Sequence, residues 1–342
     1  KDIANCLDSL IRSNVLEQLD IIVVNDGSKD HTAEIVQKYV EKYGNSIRLV
    51  NKKNGGHGST INTSIKYACG KYYKILDSDD WVNSENLNRL VAFLEKTDTD
   101  MVLNPYDEIE YNTRTKTRQM NPWDNEVSYE EVHGLEELDK VVLYMHSLTF
   151  RREVIQKMGA IIDENCFYVD MEYCIFPLLH INSFVCLDYP VYQYLLGSQT
   201  QSMNMENMIK RRDQHLKVTE RLVSFYKKHE DDLNIKVKEI VILRIKYAIY
   251  NQYVIYLHMS PKEAINEKSG IISNDGNTGF YIHNSTGTND GTISNSGNYG
   301  FTIDSDSKGV NNGIIANKGK FGVAVYNSIF INSAAGEIKN GS

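Results

Sequence analysis

Residues 74–82, "KILDSDDWV", place three carboxylates within four positions, directly after an apolar run. Ionised carboxylates this close repel one another, so they require water, a hydrogen-bond donor or a cation. Asp77 and Asp79 form a D-x-D turn, and carboxylate oxygens are the ligands that Mg²⁺ and Mn²⁺ prefer. The same segment could instead cap the next helix, with Asp80 or Ser84 accepting from backbone N–H groups. Because D-x-D is common by chance, its surroundings must decide between the two interpretations.

The segment lies in a region of alternating strands and helices. The run "DIIVVND" (20–26) is β-branched and continuous, which is typical of a strand covered on both faces. The pattern then predicts helix 31–43, strand 47–50, helix 57–69, strand 72–76, helix 85–95 with Ser84 as its cap, and strand 100–104. This alternation predicts a mostly parallel sheet with helices on both faces. Ligands bind at the carboxyl ends of such strands, so the turns "NDGS" (25–28) and "DSDD" (77–80) are expected to face one crevice.

The chain beyond residue 104 is less regular. We expect a hairpin around "YNTRTKTRQM", helices at 151–158 and 170–179, a strand at 184–195, and two long helices within 205–258. The second long helix is apolar on more than one side, so it packs between other elements or contacts a partner. A membrane surface is the weaker interpretation, because the helix has few basic residues.

After Lys268 the composition changes to Gly, Asn, Ser and Thr, and the chain repeats itself. Copies of G-x-I-x-N-x-G-x-x-G-φ-x-φ begin at residues 270, 291 and 313, with a broken copy at 336. Alternating apolar positions and regular glycines predict a short parallel β-solenoid, with low-complexity disorder as the alternative. The asparagines expected to form a ladder at its turns are Asn274, Asn295, Asn317 and Asn340.

The length, net charge and cysteine content of the chain argue against several classes of protein. The chain has 342 residues, 24% of them charged, and a formal net charge of -8. This charge argues against a nucleic-acid binder, which needs a basic face. Five scattered cysteines without a C-x-x-C pair favour reduced thiols in the cytoplasm over disulfides or a zinc site. No apolar stretch approaches the ~20 residues that span a bilayer.

The ordered set of motifs resembles the family-two glycosyltransferases of the GT-A fold, a Rossmann-like architecture. The residues that carry the resemblance are "IIVVNDGSKDHT", "NKKNGGHGSTINTSIKYACGKYYKILDSDDWV" and "ENCFYVDMEY". It covers about residues 1–262. The family usually begins with a strand of the type V-S-I-I-φ-P-x-Y-N; the chain begins within a helix instead, so we expect exposed strand edges and low stability.

The resemblance implies a role for each matching residue on the donor side. Asp26 matches the aspartate that reads the uracil or ribose of a nucleotide-sugar. The loop beside the nucleotide corresponds to Asn54, Gly55 and Gly56, where absent side chains let the backbone approach the ligand. Asp77 and Asp79 match the D-x-D pair: Asp79 is the usual ligand of Mn²⁺ or Mg²⁺, and Asp77 supports ribose and metal. Asp80 assists through hydrogen bonds to these groups.

On the acceptor side, Asp170 matches the general base, although Val169 replaces the acid that precedes it in the family. Glu172 competes for this role, and Asp170 could also cap helix 171–179. A single base without a nucleophile implies inversion at the anomeric carbon. His57 could donate near the phosphates or be a plain loop residue, whereas His146 is expected in the interior.

Further candidates are Trp81 and Trp123, which could stack on sugar or belong to the core, and the loop "YLLGSQTQSM" (194–203), which resembles one that closes over the donor. The predicted domains are a catalytic domain (1–204), a helical extension (205–262) and the repeats (268–342). The predicted function is metal-dependent hexosyl transfer from a nucleotide-sugar, UDP-linked by preference, to a glycan or lipid-linked acceptor in bacterial surface polysaccharide synthesis, at the inner face of the membrane.

Two other functions stay open. The repeats resemble passenger repeats of bacterial adhesins and autotransporters, so the chain could be a non-enzymatic surface protein with a degenerate α/β domain. A nucleotidyltransferase has a similar sheet and acidic metal site, but its basic Gly-rich phosphate loop is not evident in this sequence. The sequence does not identify the donor sugar, the linkage or the oligomeric state.

Overall fold

The computed structural model consists of two compact units, Lys1–Gln252 and Tyr253–Ser342. The residues that it describes are 2–123, 127–159, 161–197, 201–259, 265–266, 271–274, 278–283, 286–296, 298–304, 308–318 and 321–340. Within these ranges, we find no helix with the length and apolar character needed to span a bilayer.

The helices agree closely with the periodicity of the sequence. They are α1 (Asp2–Ile11), α2 (Thr32–Tyr43), α3 (Gly56–Tyr67), α4 (Ser84–Lys96), α5 (Arg152–Lys157), α6 (Asp170–Ile175), α7 (Met205–Lys210), α8 (Arg212–His229) and α9 (Ile235–Leu257). The prediction that helix 170–179 is continuous was wrong, because α6 ends at Ile175 and a 3₁₀ helix, Phe176–His180, follows. Pro177 has no N–H to continue the α-helical pattern.

The strands of the first unit are β1 (Ile21–Asn25), β2 (Ile47–Asn51), β3 (Tyr72–Tyr73), β4 (Trp81–Val82), β5 (Met101–Leu103), β6 (Tyr106–Glu110), β7 (Lys116–Met120), β8 (Val132–Gly134), β9 (Leu148–Arg151), β10 (Ser183–Cys186) and β11 (Tyr192–Leu196). They form a parallel pair β1-β2, a mixed sheet β3-β9-β5-β10-β8, and a mixed sheet β4-β11-β6-β7. The predicted hairpin is β6–β7. The observed sheets are therefore more mixed than the predicted single parallel sheet.

A cavity of about 840 Å³ separates β1 from the segment 70–77. Among the described residues β1 pairs with β2 alone, so its other edge has no strand beside it. Residues 74–76, which we predicted to be strand, are not in one, because they have no ladder partner there. Apolar faces of α1, α3 and α4 complete the lining of the cavity. Two strand-forming segments thus face each other across an apolar gap.

The core of the first unit lies under the five-stranded sheet and extends to the long helices. Phe150, Tyr173 and Phe184 are fully buried at its centre. α9 contributes Val237 and Val241 to this core, while Leu243, Tyr247 and Tyr250 on the same helix are exposed. The sequence pattern of α9, apolar on more than one side, therefore corresponds to one packed face and one exposed face.

After the end of α9, the described part of the second unit consists of short parallel strands in three stacks. The strands are β12 (Ile265–Asn266), β13 (Ile271–Asn274), β14 (Thr278–His283), β15 (Thr286–Asn289), β16 (Thr292–Asn295), β17 (Tyr299–Asp304), β18 (Lys308–Asn311), β19 (Ile314–Asn317), β20 (Phe321–Val325), β21 (Ile329–Asn332) and β22 (Glu337–Asn340). Their stacking orders are β12-β15-β18-β21, β13-β16-β19-β22 and β14-β17-β20. The first predicted repeat position, residue 270, lies outside the described residues.

The repeats pair in the register that the sequence predicts. Asn274, Asn295, Asn317 and Asn340 are aligned across β13, β16, β19 and β22. However, Asn317 Nδ2 donates to Phe321 O at 2.7 Å, and its distance to Asn340 Oδ1 is 3.4 Å. A tighter ladder, absent from our prediction, joins Asn289, Asn311 and Asn332 at 2.6 and 2.7 Å.

Candidate active site

The first acidic turn begins where β1 ends. Asn25 Nδ2 donates to Asn51 Oδ1 at 2.8 Å, which holds the carboxyl ends of β1 and β2 together. Asn25 Oδ1 accepts from the N–H of Ser28 at 3.0 Å and so closes the turn. Gly27 has φ +76°, a backbone conformation that L side chains rarely adopt. The turn therefore presents Asp26 beside the loop that follows β2.

The Asp26 carboxylate orders that loop. It accepts from Gly55 N at 2.9 Å, from Gly56 N at 2.7 Å, and from Lys52 Nζ at 2.8 Å. A side chain at residue 55 would lie 2.5 Å from Ser59 Oγ, and Gly56 has φ +78°. Gly55 thus permits the close approach of the loop to Ser59 of α3, and Gly56 permits the positive φ. The sequence predicts Asp26 as a nucleotide contact alone, and the structure adds its pairing with Lys52.

Asn54 lies on the solvent side of this loop. Its side chain is exposed, while its backbone nitrogen packs against Gly27. Asn54, Gly55 and Gly56 are therefore adjacent to Asp26, as the resemblance implies for a loop beside a bound nucleotide.

The second acidic turn faces the same cavity. Asp26, His57, Asp77 and Asp79 all line it, with Asp77 half-buried and Asp79 exposed. His57 Nε2 lies 3.8 Å from Asp77 Oδ1. Two turns that are about 50 positions apart in sequence, at residues 26 and 77, therefore present carboxylates to one space.

Electrostatics make the acidic turn suitable for a cation. Burial raises the pKa of Asp77; His57 opposes this, and the charges of Asp79 and Asp170 raise it further. Asp170 is thus close enough to act on Asp77, although it comes from α6. A divalent cation would remove this repulsion, so Asp77 and Asp79 fit a hard metal ion.

Asp80 has a different environment from Asp77 and Asp79. Its Oδ1 accepts from Leu195 N at 2.7 Å, and its Oδ2 accepts from the Tyr192 hydroxyl at 2.5 Å. Burial, followed by the charge of Asp77, raises the pKa of Asp80 to about 8. Asp80 therefore connects the acidic turn to β11 and does not cap α4. The cap is Asn83, whose Oδ1 accepts from Asn86 N, while Ser84 Oγ donates to Ser9 O.

His146 lies beside the acidic turn and is half-buried among aromatic rings. Its ring stacks on Tyr194 with centroids 4.0 Å apart, and Tyr192 lies at 4.8 Å. Burial lowers the pKa of His146 to about 3, and Lys74 adds to this effect. Its Nδ1 has no hydrogen-bond partner among the described residues. Ligand atoms of His146, Asp77 and Asp80 lie within 4.8 Å of one another, but the Asp80 oxygens are engaged by β11.

Asp170 is the first residue of α6 and is exposed, with Val169 in the N-cap position. No described residue donates a hydrogen bond to its carboxylate. Glu172, two residues later, is fully buried and accepts from Asp163 N at 2.8 Å. Of the two acids proposed as the base, Asp170 alone is accessible to a substrate.

The other candidates are divided between surface and core. Trp123 is buried and donates to Tyr129, whereas Trp81 is half-buried near Arg114. In the loop 194–203, Gln201 Nε2 donates to Leu195 O at 3.1 Å, and residues 198–200 lie outside the described part. A residue that sequence reasoning missed is Lys74, whose ammonium donates to His146 O and Leu148 O; burial lowers its pKa to about 7.

Comparison with known proteins identifies relatives of the first unit. Residues 1–159 match the model of Glycosyl transferase family 2. The chain is 30% identical to the uncharacterized glycosyltransferase EpsJ of Bacillus subtilis over 168 residues. This aligned stretch is 48% of each of the two chains. It is 33% identical over 104 residues to the poly(ribitol-phosphate) beta-N-acetylglucosaminyltransferase TarS of Staphylococcus aureus, 30% of this chain and 18% of that protein.

The fold is also that of a solved glycosyltransferase. A crystal structure of S. aureus TarS 1-349 in complex with UDP superposes with a TM-score of 0.52 and 18% sequence identity, covering 76% of this chain and 72% of that one. The first unit thus has a GT-A-like α/β fold. The chain spans about half the length, or less, of the curated relatives it matches.

Proposed function

We propose that the chain is an inverting, metal-dependent glycosyltransferase that moves a sugar from a UDP-sugar to an acceptor hydroxyl in bacterial surface polysaccharide synthesis. One observation carries the proposal: Asp26, Asp77 and Asp79 line a single cavity. The charge of Asp170 raises the pKa of Asp77, so the two carboxyl groups are near each other. The family match of residues 1–159 and the names of the relatives support the reaction class.

The donor is proposed to bind along the carboxyl ends of β1 and β2. Asp26 holds Gly55 and Gly56 in place, so that a nucleotide contacts backbone rather than side chains there. Asp77 and Asp79 would hold Mn²⁺ or Mg²⁺, which when bound neutralises the diphosphate as it leaves. His57 Nε2, 3.8 Å from Asp77, is placed to donate to a phosphate oxygen.

Transfer then requires a proton acceptor on the opposite side of the sugar. The acceptor oxygen attacks the anomeric carbon, the bond from that carbon to the phosphate oxygen breaks, and the electron pair leaves with the diphosphate. Asp170 takes the hydroxyl proton during the attack. Because no covalent intermediate forms with a protein group, the anomeric configuration inverts.

The acceptor is proposed from the names of the relatives rather than from the site. TarS is named for transfer to poly(ribitol-phosphate), and another relative is the minor teichoic acid biosynthesis protein GgaB. We propose a glycan or lipid-linked polymer as the acceptor, and the cytoplasmic face of the membrane as the place of reaction. The exposed side chains of α9, Leu243, Tyr247 and Tyr250, are a candidate surface for peripheral membrane contact.

Transfer assays on the full chain test the proposal. UDP-glucose and UDP-N-acetylglucosamine are supplied with Mn²⁺, Mg²⁺ or a chelator, and UDP release is measured for wild type, Asp79→Ala, Asp170→Asn and the exposed control Asp98→Asn. We expect chelation and Asp79→Ala to abolish turnover, and Asp170→Asn to lower kcat by roughly 10²–10⁴. Asp98→Asn should match wild type. Equal rates in all four proteins would refute the assignment of these residues.

The second unit favours an alternative function. Its strands stack in parallel and in register, and we propose that they form a short β-solenoid of the kind used by bacterial surface adhesins. If the β-solenoid is the functional part of the chain, the α/β unit would be a degenerate glycosyltransferase without activity. Calorimetric titration with UDP and Mn²⁺ separates the two functions, because a degenerate unit binds neither.

A further inference from the structure

We propose that Glu172 is a positioning residue that holds the donor loop and the helix of the catalytic base in one arrangement, through the segment 162–166. The inference rests on the proposed function, since it concerns how that site is assembled. Glu172 follows Asp170 by two positions in α6, yet the two carboxylates have opposite environments. Asp170 is exposed, and Glu172 has no exposed surface.

The Glu172 carboxylate makes a direct hydrogen bond to the segment 162–166. Its Oε2 accepts from the backbone N–H of Asp163 at 2.8 Å. Its Oε1 is buried and has no hydrogen-bond partner among the described residues. A buried carboxylate has a large desolvation cost, so a residue that served packing alone would be better apolar. The hydrogen bond to Asp163 is therefore the contact that a carboxylate at this position provides.

The segment is bound on its other side to α3 and the donor loop. Asn62 Oδ1 accepts from Ile162 N at 3.0 Å, and Asn62 Nδ2 donates to Ile162 O at 2.8 Å. Asn165 N donates to Gly55 O at 2.5 Å. A side chain at Gly58 would collide with Asp163 O, so the glycine permits this close packing.

These contacts form a continuous path between the two halves of the site. Gly55 connects Asp26 to Asn165, because its N–H donates to the Asp26 carboxylate and its carbonyl accepts from the Asn165 N–H. From Asn165 the segment leads to Asp163 and Glu172. A shift of the segment would therefore move the donor loop relative to Asp170.

The charge of Glu172 regulates the strength of this path. The pKa of Glu172 is raised to about 7, chiefly by burial and also by the charge of Asp163. The hydrogen bond from the Asp163 N–H and the charges of Arg221 and Lys217 on α8 act in the opposite direction and lower this pKa. Cys166 is a further titratable neighbour. Because burial outweighs the Asp163 N–H and raises the pKa, ionisation of Glu172 costs free energy in the closed arrangement. The path therefore opens more easily above pH 7 than below it.

Hydrogen exchange on the ligand-free full chain tests the path without requiring activity. Protection factors, corrected for intrinsic rates, are measured at pH 6 and pH 8 for the amides of residues 55–56 and 162–166. Wild type should lose roughly fivefold protection at pH 8, because local opening returns the ionised carboxylate to water. Glu172→Gln, which keeps an acceptor without the charge, should lose this pH response, whereas the exposed control Glu220→Gln should retain it. A pH response that persists in Glu172→Gln overturns the inference.

Kinetics with a UDP-sugar then separate positioning from catalysis. Glu172→Gln should lower the donor KM roughly fivefold at pH 8, because the neutral side chain holds the loop more firmly, and should leave kcat within about threefold of wild type. Asp170→Asn should lower kcat with little effect on UDP affinity. If Glu172→Gln loses kcat to the same extent as Asp170→Asn, Glu172 is a catalytic group and the inference fails. If wild type is inactive with every donor, the proposed function fails, and the exchange experiment still decides the role of Glu172.

Discussion

The carboxylate of Asp26 accepts hydrogen bonds from the N–H groups of Gly55 and of the next residue, Gly56, 29 and 30 positions further along the chain. This relationship gives Asp26 a structural role in addition to the one proposed for nucleotide binding. Lys52 shares the same carboxylate, so the acid holds a cation and two backbone donors at once.

Substitution of Asp26 should therefore affect the loop before it affects chemistry. Asp26→Ala leaves the Lys52 ammonium and two N–H groups without this partner, and we expect a loss of about 2–4 kcal/mol in unfolding free energy. Asp26→Asn keeps an acceptor and should lose about half as much. Urea unfolding measures both, and calorimetry with UDP should show weaker binding in the same order. Equal stability of the three proteins would contradict the structural role.

A second prediction concerns the connection between the acidic turn and β11. Tyr192 donates to Asp80 and accepts from Asp77 N, so its hydroxyl joins two residues of the turn. We expect Tyr192→Phe to lower the unfolding free energy by about 1–2 kcal/mol and Asp80→Ala by about 2–4 kcal/mol. The double variant should lose less than the sum of the two, because the residues share one hydrogen bond. Additive losses in a double-mutant cycle would show that the residues act independently.

The sequence predicted the features that depend on neighbouring residues, and it did not predict the hydrogen bonds between residues far apart in the chain. The extents of α2, α3 and α4 and the position of β1 follow from hydrophobic periodicity, which depends on neighbours along the chain. The acidic turns could also be predicted, since both follow apolar runs. In the structure only the first of these turns directly follows a strand, β1.

Partners distant in sequence were not predictable in the same way. Leu195 is 115 positions from Asp80, and nothing in "DSDD" distinguishes the carboxylate that binds β11 from the two that face the cavity. Lys52 could have been considered, because it follows a strand at the same edge as Asp26. The strand expected at 74–76 failed for another reason: strand propensity requires an adjacent ladder, and that side of the segment faces the cavity.

The raised pKa of Glu172 predicts a pH-dependent stability. Its value of about 7 lies above the usual 4.5, so its protonated form is favoured in the folded protein. The stabilisation is complete below pH 4.5 and is lost as the pH rises through 7, by roughly 3 kcal/mol for this group. Glu172→Gln should be more stable than wild type at pH 8 by about 1–3 kcal/mol and nearly equal at pH 5. Urea unfolding at the two pH values measures this, and a variant less stable than wild type at pH 8 would be inconsistent with it.

The ladder of Asn289, Asn311 and Asn332 predicts where the second unit is most sensitive. Asn311 has no exposed surface and both accepts from and donates to its neighbours in the stack. Asn311→Ala should destabilise the unit by about 2–3 kcal/mol. Asn312→Ala, which removes a half-buried bond to Asp290, should cost under about 1 kcal/mol. Thermal unfolding followed by β-sheet circular dichroism would detect the difference, and equal effects would argue against the ladder.

In the part of the chain that the structure describes, one edge of β1 has no strand beside it, and this edge leads to the last prediction. Ile22 and Val24 line the cavity from one side, and Ile75 and Leu76 line it from the other. A six-residue apolar β-strand fused before Lys1 would supply ladder partners to both sides and bury their side chains. At ~25 cal/mol per Å² of apolar surface, less the entropy of ordering six residues, the expected gain is a few kcal/mol. This corresponds to a rise in Tm of roughly 5–10 °C. A Gly-Ser extension of equal length is the control, because it provides backbone without apolar side chains. If both extensions leave Tm unchanged, the edge of β1 does not accept a strand.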